Sequence, residues 1–200
     1  RYAYALAVTS PIFVLASVRL RHVLATAVAS PGDFRDYLAT RLLTTGCALF
    51  ASLAIGAFST SSRETLIVIV LVALARSCDA VSDICHGLFQ RELDMRTAAA
   101  GLMINGIVSV LLVQGALVIW QSLPLAAVGY AAGSCIALVL WDLPRAARML
   151  NARREGSAEH QTWTGVRSLL VRASPLGLSS AIGSIQTNLP RYAIASLLGP

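Results

Sequence analysis

Long apolar runs separated by short charged stretches dominate the chain. Tyr2–Val18 is apolar and stops at Arg19 and Arg21. Leu38–Phe58 is apolar apart from Arg41 near its start. Leu66–Gln90 opens with ten apolar residues, Leu66–Ala75, and then becomes mixed. Ala98–Trp120 is apolar. Leu125–Leu143 is apolar and bracketed by Pro124 and Pro144, residues that suit helix ends. A last run extends from Val166 to Leu198. A helix needs about 20 apolar residues to cross a bilayer, so the pattern predicts about six transmembrane helices. The expected architecture is an all-α integral membrane protein, a polytopic helix bundle. One connection is long and polar: 144–165 carries Arg145, Arg148, Arg153, Arg154, Glu155 and Glu159 and reads as a linker.

Composition agrees with lipid as the solvent. Hydrophobic residues make up 56% of the 200 and charged residues 13%, against about 25% charged in soluble domains. A soluble domain of roughly this size leaves about 30% of its unfolded-state surface unburied, too much to hide this apolar content. A water-soluble single domain and a disordered chain are excluded. All sixteen basic residues are Arg, and the net charge is +6. The arginines form no single basic face and no recognition-helix pattern, so nucleic acid is not the expected partner. They sort instead by loop. Ten lie in 19–41, 91–96 and 144–165, and only Arg63 lies in the alternate set, 59–64 and 121–124. That bias places the first set in the cytoplasm. The first helix then runs outside to inside and the last inside to outside. In Tyr2–Val18 the charges follow the apolar run, the wrong order for a secretory signal. Both chain ends read as falling inside a longer protein. Cys47, Cys78, Cys85 and Cys135 have no paired spacing and are expected to be small buried residues.

Polar groups inside the apolar runs carry the most information, because charge in lipid is costly. At 100° per residue, Asp79, Asp83, His86 and Gln90 fall within roughly an 80° arc of Arg76. Two readings remain open. Arg76 and Asp79, at i and i+3, can neutralise each other at a helix contact. Alternatively the stripe lines a water-filled cavity, with a proton relay through Asp79, Asp83 or His86 as a further option. In the last run, Ser180, Ser184, Thr187, Asn188 and Arg191 share an arc of about 100°, and Pro175 and Pro190 interrupt the helix. That suits either a moving wall of a solute pathway or ordinary interhelical hydrogen bonding. Gly129, Gly133 and Ala137 form a stripe of small residues that invites a close helix neighbour. No GxxxxGK[ST], HExxH or GxSxG motif is present, and no nucleophile stands beside a base. Neither an enzyme nor a bound cofactor or metal is expected.

Four stretches in order carry a resemblance: RLLTTGCA at 41–48, RSCDAVSDICHGLFQRELDMR at 76–96, WDLPRAARML at 141–150 and TNLPRY at 187–192. They resemble bacterial polysaccharide flippases, the lipid-linked oligosaccharide exporters of the MOP superfamily. The resemblance covers essentially the whole chain. It implies that the six runs correspond to the second through seventh helices of a longer, two-lobe protein. Residues 1–143 would then be an N-terminal lobe lacking its first helix, 144–165 a cytoplasmic linker, and 166–200 the first helix of the second lobe. It implies transport of undecaprenyl-diphosphate-linked sugar units across the inner membrane by alternating access, for O-antigen, capsule or exopolysaccharide. The partners implied are the lipid-linked oligosaccharide, membrane lipid, and the polysaccharide polymerase and chain-length machinery. Arg76 and Arg191 are its candidate cavity cations, since guanidinium recognises phosphate well. Asp79, Asp83, Ser184 and Asn188 complete the candidate lining. The competing readings are a cation-coupled multidrug exporter of the same superfamily, a membrane-embedded glycosyl- or acyltransferase, and a structural or assembly subunit. The first would favour intramembrane acids without arginine beside them, and the second needs catalytic acids or histidines on an extramembrane loop.

Overall fold

The computed structural model describes residues 9, 12–17, 20–26, 34–59, 63–153, 171 and 183. Short α1 (Leu20–Thr26) is followed by three long helices: α2 (Phe34–Ser59), α3 (Arg63–Arg91) and α4 (Met95–Trp120). Next come α5 (Leu123–Ala137), one π-helical turn (Leu138–Asp142) and α6 (Leu143–Arg153). Among the described residues four helices are long and apolar enough to cross a membrane: Phe34–Phe58, Arg63–Arg91, Met95–Trp120 and Leu123–Asn151. Side chains such as Phe50, Phe58, Leu111, Val118 and Leu140 stand exposed on them, a surface that hydrocarbon accepts and water rejects. Among the described residues all regular structure is helical, and the chain is a multi-pass membrane protein. Of the six expected spans, the first lies outside the described residues except for 9 and the helical stretch 12–17, and the last except for 171 and 183.

The helix ends follow local chemistry. Asp94 caps α4: its carboxylate accepts from the Thr97 backbone N–H at 3.1 Å and the Thr97 hydroxyl at 2.7 Å. Those two bonds hold the Asp94 carboxyl below its ordinary range, aided by nearby Arg145 and Arg96. Pro124 opens α5 just after Ser122, where a missing N–H costs nothing. Pro144 does not end the helix, contrary to the expectation from the bracketing prolines. A proline ring collides with the carbonyl four residues back. Here the turn ahead of it widens, and the Leu143 N–H bonds to the Leu138 carbonyl. The helix therefore continues to Arg153 and takes in the start of the expected linker.

α3 is the hub; α1, α2, α4, α5 and α6 all pack on it. One apolar cluster joins Leu20, Phe34, Leu88, Phe89, Ala98 and Ala146. A second, of Val68, Ile69, Val72 and Ala127, lies toward the opposite end of α3. The ends carrying Arg21, Arg35, Arg91, Arg96 and Arg145 therefore gather at one end of the bundle, with Arg63 at the other. Arg41 is an exception to the loop reading. It sits inside α2 and is buried, so it contributes nothing to a loop's charge.

The small-residue stripe packs α5 onto α4. A Cβ at Gly133 would meet Ser109 Cα at 2.7 Å, and one at Gly129 would meet the Leu112 carbonyl oxygen at 2.8 Å. Gly133→Ala is therefore expected to lower stability by about 1–3 kcal/mol through overpacking. Gly106, with nothing within 4 Å, is the control: Gly106→Ala should be neutral or stabilising, since alanine is the better helix former. Thermal unfolding in detergent compares the two.

Candidate functional site

The polar stripe of α3 turns toward protein, and its members take partners from different elements. Asp83 receives two arginines: Arg21 Nη1 from α1 at 3.2 Å and Arg41 Nη2 from α2 at 3.4 Å. Arg21 also donates from Nε to Gln90 Oε1 at 3.3 Å. Arg41 also donates to backbone, with Nε to the Ala80 carbonyl at 2.8 Å and Nη1 to the Ser17 carbonyl at 3.0 Å. One guanidinium thus pins α2, α3 and the segment 12–17 together, using the fork geometry that lysine lacks.

Asp79 has neutral partners. Asn105 Nδ2 of α4 donates to Oδ1 at 3.1 Å, and the Tyr130 hydroxyl of α5 donates to Oδ2 at 2.7 Å. Asn105 Oδ1 in turn accepts from Ser109 Oγ at 3.1 Å. The expected i, i+3 pairing of Asp79 with Arg76 does not form. Asn105 from α4 and Tyr130 from α5 draw the Asp79 carboxylate toward themselves instead. Arg76 Nε is buried with no hydrogen-bond partner among the described residues.

Further along the stripe, Asp142 is wholly buried and accepts from Ser82 Oγ. Its other oxygen lies 3.1 Å from His86 Nε2. Asp142 comes from the π turn, which aims it back at α3. The neighbouring Trp141 donates from Nε1 to the Thr97 carbonyl at 3.4 Å. The Arg145 guanidinium lies 3.1 Å above the Trp141 ring centre.

Part of this network lines one open cavity of about 320 Å³: Arg41, Arg76, Asp79, Ser82, Asp83, His86 and Asn105, with Phe13, Val14 and Leu102 as apolar wall. Its volume is at the small end of ligand pockets, roughly 300–1,000 Å³, and suits a charged headgroup. Arg76, Asp79 and Asp83 thus line one open cavity. Ser184, Asn188 and Arg191 lie outside the described residues. Arg41, Asn105, Tyr130 and Asp142 are additions that stripe analysis of single helices missed. Their signal is that each is a polar side chain inside an otherwise apolar run. Of the four cysteines only Cys85 is buried; Cys47 and Cys135 are exposed and Cys78 is half-buried, so the expectation of four buried thiols is corrected.

No family model matches the chain, and no solved structure matches it. The chain is similar to the capsular polysaccharide biosynthesis protein CapF of Staphylococcus aureus, at 21% identity over 200 residues, which is all of this chain and 48% of the relative. The chain therefore spans about half the length of the curated relative it matches. With four candidate spans, the likeness is to a polysaccharide-related protein and the fold is that of a multi-pass membrane protein.

Proposed function

We propose that this chain is part of a flippase of the MOP superfamily that moves undecaprenyl-diphosphate-linked oligosaccharide across the bacterial inner membrane for surface polysaccharide export. It acts as a transporter and not as an enzyme, with the Arg-rich end of the bundle in the cytoplasm. The observation that carries the reading is Arg76. It stands near the middle of the 29-residue α3, lines the cavity, and its buried Nε has no partner among the described residues. A guanidinium lining an intramembrane cavity attracts a counter-charge, and a diphosphate headgroup supplies one in bidentate geometry. The likeness to a capsular polysaccharide biosynthesis protein supports the same cargo class. Asp79 and Asp83 belong to the polar wall, and Ser184, Asn188 and Arg191 are proposed to extend it. The multidrug-exporter reading is disfavoured at Asp83, which is already held by two arginines; Asp79, with two neutral donors and no arginine, is the acid that reading would use.

The test is Arg76→Gln in the full-length protein, with membrane insertion checked by immunoblot of washed membranes. Loss of a charge-assisted hydrogen bond, about 1.5–3 kcal/mol, corresponds to about a tenfold or greater fall in surface polysaccharide where cargo binding limits export. Arg76→Lys should recover part of it. Unchanged export by inserted Arg76→Gln protein removes Arg76 from the mechanism.

A further inference from the structure

We infer that Asn105 and Tyr130 are positioning residues that keep Arg76 available, by holding Asp79 away from it. The inference rests on the reading of Arg76 as the group that takes an anion in the cavity.

Arg76 and Asp79 are one turn apart on the same face of α3, the spacing at which opposite charges on a helix meet. Inside a membrane their attraction is screened little, so the pair is the default arrangement. It is absent because both carboxylate oxygens of Asp79 are held from other helices. Asn105 donates from α4 at 3.1 Å and Tyr130 from α5 at 2.7 Å. The amide donor is not free to drift. The Asn105 amide is oriented by Ser109 Oγ at 3.1 Å. Ser109 is itself pressed against α5, where a Cβ on Gly133 would come within 2.6 Å of its hydroxyl. The close α4–α5 packing thus fixes the amide, the amide and the phenol fix Asp79, and Asp79 leaves Arg76 unpaired. If Asp79 were released it would neutralise the guanidinium, and the cavity would lose its pull on a phosphate. Tyr130 does not line the cavity. Its role is therefore exerted through Asp79 and not through contact with cargo.

The experiment titrates the full-length protein in detergent with farnesyl diphosphate, followed by isothermal calorimetry. Tyr130→Phe and Asn105→Leu should each weaken binding about tenfold, one hydrogen bond's effect on a charged group. Asp79→Asn should bind at least as tightly as the unsubstituted protein. The double variant Asp79→Asn/Tyr130→Phe should recover that affinity, because with no carboxylate left there is nothing to hold back. A merely structural role for Tyr130 would leave the double variant as weak as the single one, and that result overturns the inference. Weaker binding by Asp79→Asn alone also overturns it, even if the other variants fail to fold. Wild-type binding by Tyr130→Phe and Asn105→Leu, with binding lost in Arg76→Gln, overturns the positioning role and leaves the reading of Arg76 standing. Unchanged binding in Arg76→Gln, or no binding by the unsubstituted protein, removes both.

Discussion

Arg41→Leu is expected to destabilise the bundle by about 3 kcal/mol, measured as a shift in thermal unfolding followed by tryptophan fluorescence in detergent. The figure is at the low end of the range for breaking a buried ion pair. The lower bound applies because Asp83 keeps 33% of its side-chain surface open to the cavity while Arg41 keeps only 6%. Two losses add to the broken pair. The Ala80 and Ser17 carbonyls lose donors at 2.8 and 3.0 Å, and α2 loses a polar tie to the segment 12–17. Arg41→Lys should recover only part, since one ammonium cannot reach three acceptors in a fixed fork. Asp83→Asn in the Arg41→Leu background should recover part as well, by removing the uncompensated carboxylate. Arg21→Leu provides the contrast. Its 3.2 Å bond to Asp83 is the shorter one, but its side chain is 22% exposed, so solvent screening limits the loss to about 1 kcal/mol. Equal destabilisation by Arg21→Leu and Arg41→Leu would show that burial does not decide the energy of this pair of contacts.

Arg41 also shows what a linear sequence conveys and what it withholds. The helices were legible because hydrocarbon imposes a length: runs of apolar residues sufficient for a crossing stand out whatever their packing. The polar face of α3 was legible for a similar reason. The helical period alone puts Arg76, Asp79, Asp83, His86 and Gln90 on one side, and the cavity lies on that side. The Gly129–Gly133 stripe was legible because closeness between helix backbones demands small side chains. Partners were not legible. Which donor reaches Asp79 depends on the rotation of α4 and α5 about their own axes, and no pattern within α3 contains that angle. Local spacing favoured Arg76, and tertiary contacts with Asn105 and Tyr130 prevailed. Arg41 was assigned to a loop because the charge lies near the start of an apolar run. Its burial follows from Asp83 standing opposite on α3, a complementarity visible only once the two spans are paired. Pro144 misled for a different reason. Proline forbids a regular α turn but tolerates a widened one, and sequence does not distinguish a stop from a π turn.

That widened turn sets up the second large effect, at the only place where α3, α4 and the π turn meet through polar atoms with no room to spare among the described residues. A Cβ added at Gly101 would lie 2.7 Å from Asp142 Oδ1, 2.8 Å from His86 Nε2 and 3.2 Å from Trp141 Cδ1. Asp142 is 0% exposed and His86 is 2% exposed, so neither can retreat into solvent. Gly101→Ala must therefore push α4 off α3 or separate Asp142 from His86 and Ser82. Separation leaves buried polar groups unsatisfied, at about 1–3 kcal/mol each and more for the carboxylate. The expected loss is about 3–5 kcal/mol, because the atoms in the way are buried polar groups that lose their partners when they move. A double-mutant cycle assigns the cause. Asp142→Ala is itself destabilising, because His86 and Ser82 lose their acceptor, yet it empties the space that the new methyl needs. Gly101→Ala measured in the Asp142→Ala background should cost less than half of what it costs alone, a coupling well outside the few tenths of a kcal/mol expected for independent sites. Additive losses would mean that the methyl acts on helix spacing alone. The strong coupling expected here follows from Asp142 being delivered by the π turn into the gap that glycine leaves open, so that the bend beyond α5 and the bare backbone of α4 serve the same buried carboxylate.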